Sequence, residues 1–373
     1  MSGVTGVPAP AGATARFLVG DVFDRLAELE DGSVHAVITS PPYWRKRRYL
    51  PVDHPDAERE IGQEPSPGEF LATLLRLTDE LWRVVRDDGT IWINLGDTAA
   101  GSGGAGGDYN QGGQREGQQR YSGSARKRAA HDIGDDYRPV RTLTADMPRA
   151  KSVCWIPELF GASLAYGRNL LTGEPCQRWI TRPPVVWCKP APTPGEIHDK
   201  FREATELLVW ASKEPRYYFD LDAVRLPPSD YKRPNGAARA TPPGQRPRSV
   251  ADTVNPKGTP PLTWWVVNTS GYEGAHFATF PPELITRPVI AACPPGGTIL
   301  DPFGGSGTTA MVATGHGRNC IAIDIDPRNA DLARERVGMF LDIDHLDGTT
   351  PTSEPEDDGQ LTIHDYLEEA PRG

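Results

Sequence analysis

Residues 298–314 read TILDPFGGSGTTAMVAT: a short apolar strand that runs straight into a glycine-rich turn and out into a helix. Glycine at such a turn lets the backbone approach a ligand closely, because no Cβ stands in the way. The order points to a nucleotide-like ligand. The spacing is neither G-x-x-x-x-G-K-[ST], since no lysine follows, nor G-x-G-x-x-G. Further on, the strand NCIAID ends in Asp324, placed at the tip of the neighbouring strand to accept hydrogen bonds from ribose hydroxyls. With PELITRPVIAACPPGG before it and DPRNADLARERV after it, this block reads helix, strand, glycine turn, helix, strand, helix. Such alternation is the pattern of a doubly wound α/β sheet.

The same alternation holds at the other end of the chain. ARFLVGDVFDRLAELEDGSVHAVITSPPYW predicts a strand over residues 17–19, a helix over 22–29 and a buried strand over 34–39 that runs out at Ser40-Pro41-Pro42-Tyr43. Residues 65–85 carry Phe70, Leu74, Leu77, Leu81, Val84 and Val85 at helical spacing, and Asp88-Gly89 then turns into the strand TIWINLGD. The α/β pattern resumes over 156–171, followed by RPPVVWCKPAPTPG, a helix over FREATELLVWAS (201–212) and a strand-like RYYFDLDAVR (216–225). Two polar segments interrupt it. Residues 99–149 are rich in Gly, Gln and Arg with almost no apolar periodicity, and 227–261 are rich in Pro and Arg; both read as loops, mobile when free. A flexible lead over residues 1–15 and an acidic, disordered tail over 345–373 flank a single domain over 16–340.

The chain of 373 residues has a formal charge of −10, which by itself argues against a nucleic-acid partner, so the location of the charge decides. From Phe340 to Gly373 there are ten acidic residues against the single base Arg372; the rest of the chain is near neutral. Bases cluster in Arg45-Lys46-Arg47-Arg48, in the run Arg126-Lys127-Arg128 within the first polar segment, and between Arg225 and Lys257. These offer local surfaces for phosphate contact, Arg45 to Arg48 leaving the strand that carries Ser40. No apolar stretch is long enough to span a bilayer and the first residues lack a signal-peptide order, so a cytoplasmic address is expected. The five cysteines, odd in number and far apart, form no C-x-x-C pair and read as reduced and structural. No metal is required.

At Thr39-Ser40-Pro41-Pro42-Tyr43-Trp44 a hydroxyl follows a buried strand and precedes two prolines, which stiffen the backbone and leave carbonyls free of strand pairing. The Ser40 hydroxyl and the Pro41 carbonyl can both accept hydrogen bonds from one amino group. An aromatic amine is a poor nucleophile because its lone pair is delocalised, and two acceptors bias it towards sp³ geometry. Tyr43 can stack on a base extruded from a duplex, which chemistry on a base amine demands. The competing reading is a Pro-Pro strand exit with Tyr43 in the core. Carbon-5 methylation would need a thiolate after a proline in a strand context; Pro175-Cys176 sits on a polar loop.

SPPY early and DPFGGSGTT late, in that order, resemble the β group of DNA amino-methyltransferases, in which the catalytic half precedes the cofactor half. The resemblance covers nearly the whole chain, from about Phe17 to Val337. It includes LWRVVRDDGTIWINLGD, VVWCKPAPTPG with TELLVWASKEPRYYFD, and HFATFPPELITRPV. It implies a Rossmann-like S-adenosylmethionine-dependent methyltransferase fold with a mostly parallel seven-stranded sheet, circularly permuted motifs and polar insertions. It assigns Ser40, Pro41, Pro42 and Tyr43 to catalysis. Asp301, Phe303, Gly305, Ser306 and Gly307 go to the methionine end of S-adenosylmethionine, and Thr39 and Thr308 are further cofactor-binding residues. Asp324 goes to the ribose, Asp21 to the neighbourhood of the adenine, and Phe280 with Pro281 to the flank of the cofactor. His276 matches a family position near the cofactor and equally suits a packed core. One departure is visible: the usual KPNP is Lys189-Pro190-Ala191-Pro192 here, so the asparagine's hydrogen bonds are missing.

Within that superfamily a serine before Pro-Pro-Tyr looks like the cytosine enzymes, and an aspartate or asparagine like the adenine enzymes. The expectation is therefore N4-cytosine methylation of duplex DNA by base flipping and direct in-line transfer, with N6-adenine methylation as the alternative. A non-catalytic DNA-binding protein on the same fold is the alternative of another class. Residues 99–149 and 227–261 are the candidate target-recognition segments, and a cognate restriction enzyme is a candidate partner.

Overall fold

The computed structural model describes residues 12–46, 48–50, 54–100, 147–149, 151–192, 200–227, 255–269, 280–338 and 341–345. Arg47, Arg126, Lys127, Arg128, His276 and the greater part of both polar segments and of the acidic tail lie outside them.

Apolar runs covered on both faces form the middle of the sheet. Strand β2 (Val34–Thr39) is flanked by β3 (Val85–Leu95) and β8 (Thr298–Asp301), both parallel to it. Beyond β8 lie β9 (Asn319–Asp324), β1 (Ala15–Val19) and β10 (Leu341–His345), again parallel. The N-terminal strand thus sits between two C-terminal ones, which is how the permuted order closes into one sheet. On the other side of β3 come β6 (Thr205–Ser212), antiparallel to it, then β5 (Val185–Cys188) and β7 (Trp264–Val266), with the two-residue β4 (Ile180–Thr181) also on β6. Ten strands pair where the resemblance implies seven, since short edge strands such as β4, β7 and β10 extend the sheet.

Helices cover both faces. On one side α1 (Val22–Ala27), α2 (Pro67–Val84) and α3 (Ile156–Tyr166) bury Leu26, Phe70, Leu74, Leu81 and Phe160 against β2 and β3. On the other α4 (Pro282–Ala292) and α5 (Thr308–Gly315) bury Leu284, Ile285, Val289 and Ala313, while α6 (Arg328–Val337) follows β9. The ends of α2 follow from local chemistry. Ser66 accepts from the Glu69 amide at 3.2 Å and Pro67 opens the first turn, a favoured N-cap arrangement.

Two expectations are corrected. FREATELLVWAS is not a helix: its second part is β6, a central strand whose partners β3, β4 and β5 outweigh helix propensity. Pairing sets Trp210 against Trp92, rings stacked with centroids 4.3 Å apart. RYYFDLDAVR forms no strand; Tyr217 and Phe219 pack on the Trp210 ring, and a 3₁₀ turn spans Asp222–Val224. Strand β10 carries the sheet up to the acidic tail, and Asp344 pairs with Arg16 at 3.6 Å.

Candidate active site

In a parallel sheet, ligands sit where the carboxyl ends of the strands open into a crevice. Here Val19, Thr39, Leu95, Asp301 and Asp324 all end at one edge. A cleft of about 860 Å³, including its open mouth, lies there. Both motifs reach it: Ser40 and Pro42 from one strand exit, Asp301, Phe303, Gly305 and Thr308 from the glycine turn, and Asp324 from the next strand. Phe280 and Asp21 also line it.

Two carboxylates shape the glycine-turn wall. Asp301 is buried and accepts from the Thr39 hydroxyl at 2.6 Å, the Thr309 hydroxyl at 2.5 Å and the Phe303 amide at 3.1 Å. It ties the end of β8 to the end of β2 and the start of α5, and burial raises its pKa. Asp324 accepts from the Gly305 and Asp326 amides at 2.8 and 2.9 Å, one on each oxygen. The Asn329 side chain also hydrogen-bonds this carboxylate, which keeps acceptor capacity for one further donor. Burial pushes its carboxyl up to about 6. The turn needs its glycines for packing as well as for ligand access. A Cβ on Gly307, at φ +79°, would stand 2.9 Å from the Ala333 Cβ, and one on Gly304 would stand 2.8 Å from the Ala322 Cβ.

Of the residues assigned to the cofactor, Ser306, Gly307, Thr39 and Pro281 do not line the cleft. The Ser306 hydroxyl accepts from Arg336 of α6 at 2.7 Å, as does that of Thr308 at 2.9 Å, so Ser306 serves the helix packing behind the turn. Asp21 caps α1 through the Phe23 and Asp24 amides and pairs with Arg59 at 2.9 Å. Arg59, Glu60 and Tyr49 line the cleft too, and residue spacing carried no sign of them. The Glu60 carboxylate accepts from the Tyr49 amide at 2.5 Å and the Leu50 amide at 3.3 Å, which folds the loop after SPPY across the mouth.

Next to Ser40, beyond the residues that line the cleft, lies a polar network around Tyr43. The Tyr43 hydroxyl donates to Glu206 on β6 at 2.8 Å and accepts from the Asn94 amide on β3 at 2.6 Å. Asn94 also donates to Glu206 at 3.0 Å, and Lys189 pairs with the other Glu206 oxygen while lying over the Trp187 ring. Ser40 reaches the Tyr43 hydroxyl at 3.5 Å. Burial and the nearby Glu206 charge raise the Tyr43 pKa well above its ordinary value, so the phenol keeps its proton and anchors the ring. The ring lies over Gly96, where a Cβ would meet Cε2 at 2.4 Å. Glu206 and Asn94 were not singled out because their strands are distant in sequence. The alternation of β6 is the signal that would have found Glu206.

The basic run after Tyr43 divides. Arg45, at φ +52°, turns back to donate to the Glu64 and Pro65 carbonyls at 3.3 and 2.6 Å, so it shapes the loop. Lys46 is exposed and Arg48 half-buried. All five cysteines are free thiols; burial holds Cys176 at about 11 and Cys293 at about 12, unsuited to thiolate attack. Among the described residues no helix is long and apolar enough to cross a membrane.

Both polar segments are pinched at their roots, on opposite edges of the sheet. Ala100 and Ser152 share a hydrogen bond, as do Lys151 and Ala100, and Cys154 and Thr98; these follow Leu95 at the cleft edge. Leu226 and Thr259 bond reciprocally at 2.9 and 3.0 Å. They follow Asp220, whose amide bonds Ala291 at the far end of α4, next to the start of β8.

Residues 34–335 match the N6/N4 DNA methylase family. The chain is 31% identical to the type II methyltransferase M.Cfr9I of Citrobacter freundii over 87% of each chain. It is 32% identical to M.XycI of Xanthomonas campestris pv. cyanopsidis over 85% of this chain and 86% of that one. Among solved structures it resembles the PvuII DNA methyltransferase (cytosine-N4-specific), with TM-score 0.53 and 16% identity over 86% of each chain, a likeness of fold. A match over residues 34–335, with relatives 31% and 32% identical over most of both chains, makes this protein a member of the N6/N4 DNA methylase family.

Proposed function

We propose that the protein transfers a methyl group from S-adenosylmethionine to the exocyclic amine of a base in duplex DNA, cytosine N4 rather than adenine N6. The observation that carries this is the sharing of one cleft by Ser40 with Pro42 and by Asp324 with the glycine turn. Asp324 would hold the ribose with the acceptor capacity that the Gly305, Asp326 and Asn329 donors leave on its carboxylate. Apolar Phe280 and Ile61 suit the flat adenine, and Asp21 with Arg59 closes that end. When bound, the cofactor supplies an electrophilic sulfonium methyl.

The chain's own residues then position the amine. Ser40 and the Pro41 carbonyl accept its two hydrogens, drawing its lone pair out of conjugation. The Asn94–Glu206 network holds the Tyr43 ring as a platform for the extruded base. Displacement is in-line and direct, with rate gained by positioning. Serine at position 40, where the adenine enzymes of the superfamily carry aspartate or asparagine, supports cytosine. The roots of the two insertions support 99–149 as the target reader, since it leaves from the cleft edge and 227–261 from the other edge.

The test is to express the protein in a host without such enzymes, digest plasmid DNA to nucleosides and measure modified bases by mass spectrometry. N4-methylcytosine is expected. N6-methyladenine would keep the mechanism and overturn the reading of Ser40. Absence of any modified base, with cofactor binding intact, would favour a non-catalytic DNA-binding role.

A further inference from the structure

Three residues other than glycine have positive φ among the described residues: Arg45, Lys151 and Trp155. All three stand around the end of β3. Arg45 follows the Tyr43-Trp44 pair, and the Trp44 carbonyl accepts from the Thr98 hydroxyl at 3.3 Å. Lys151 bonds Ala100 through its amide at 2.9 Å. The Trp155 amide donates to Asp97 Oδ2 at 2.9 Å, and the next amide, Ile156, to Asp97 Oδ1 at 3.3 Å. Asp97 in turn follows Gly96, the residue under the Tyr43 ring.

Trp155 is the unexpected one. It occupies the left-handed region (φ +60°, ψ +32°), which a bulky L-residue rarely adopts. The residue is 59% exposed, so the fold gains little burial in return. Asp97 caps α3 through backbone amides alone, and glycine at 155 would serve that turn with less strain. Backbone strain retained beside a reaction centre, with no packing benefit, points to function. The surroundings indicate the ligand. Lys46, close enough to Asp97 to stabilise its charge, and Arg149 and Lys151 on the same root are exposed cations, which suit a polyanion.

We propose that Trp155 is a DNA-binding residue whose indole stacks on a nucleobase of the substrate duplex beside the target position. This inference rests on duplex DNA being the substrate. Every base presents a π-face, so such a contact adds affinity and holds the distorted duplex without reading sequence.

The test compares wild type with W155G and W155F on a duplex containing the methylated site, mapped beforehand in plasmid from the expressing host. W155G should raise KM and Kd for that duplex about tenfold or more. Its affinity for S-adenosylmethionine should not change, and its Tm should be equal or higher because the left-handed turn is relieved. W155F should keep most of the DNA affinity. DNA affinity of W155G within twofold of wild type would overturn the proposal, as would a Tm lowered by several degrees, which would make the indole structural. If wild type itself neither binds nor methylates duplex DNA, the functional reading fails and this inference with it; methylation by wild type separates the two failures.

Discussion

The two sides of the site, the glycine-turn wall of the cleft and the catalytic wall of polar side chains around Tyr43 beside it, are built on different principles. The glycine-turn wall comes from one stretch of chain, Asp301 to Asp324, and works through backbone amides, small residues and two carboxylates. The catalytic wall draws Ser40 and Lys189 from just past the ends of β2 and β5, and Asn94 and Glu206 from β3 and β6, and works through side chains. One wall is held mostly by contacts within its own stretch of chain, with Thr39 and Arg336 as its ties to β2 and α6. The other exists only when four strands are in register, so its precision depends on the whole sheet. Loss of a side chain should therefore affect cofactor binding on the first wall and turnover on the second.

The largest expected effect is on the catalytic wall. Ser40→Ala should lower kcat at least about a hundredfold, the scale for removing one well-placed polar group at a reacting centre, while calorimetry finds cofactor affinity unchanged. Next comes the opposite wall: Asp324→Ala should weaken cofactor binding by roughly ten- to a hundredfold, from the loss of charge-assisted hydrogen bonds of about 1.5–3 kcal/mol. Its kcat at saturating cofactor should stay near wild type. A fall in kcat without a change in affinity would erase the distinction between the walls.

Glu206→Gln keeps the shape of the network but removes the charge that pairs with Lys189. We expect kcat to fall about tenfold, the scale of one charged hydrogen bond, with cofactor affinity intact; Glu206→Asp should recover part of the loss if Glu206 acts by positioning Tyr43. The smallest effect is a pH dependence. Donors from a ribose favour the charged form of Asp324, so cofactor affinity rises with pH through its carboxyl value of about 6 and then levels off. Lowering the pH from 7.5 to 5.5 should weaken binding about fourfold. The same raised value means that Asp324 by itself favours folding at low pH and loses that contribution as pH rises through about 6. In Asp324→Asn the pH dependence of binding should vanish.

Motif order, the glycine turn, the S-P-P-Y exit, Asp324 and the α/β alternation of both ends were legible in the sequence, because each is set by residues close in the chain: strand periodicity, glycine at a close approach, proline after a buried strand. What tertiary structure alone decided was the partner of each strand and side chain. TELLVWAS has the composition of a helix and becomes β6 because β3 and β5 supply pairing on both sides. Ser306 and Arg45, plausible at a ligand by motif and charge, turn to Arg336 and to the Glu64 and Pro65 carbonyls instead. Glu206 meets Tyr43, and the Trp155 amide meets Asp97, only through contacts between segments far apart in the chain. Local propensity and spacing act over a few residues, whereas hydrogen-bond satisfaction and burial are settled between distant segments once the sheet has formed.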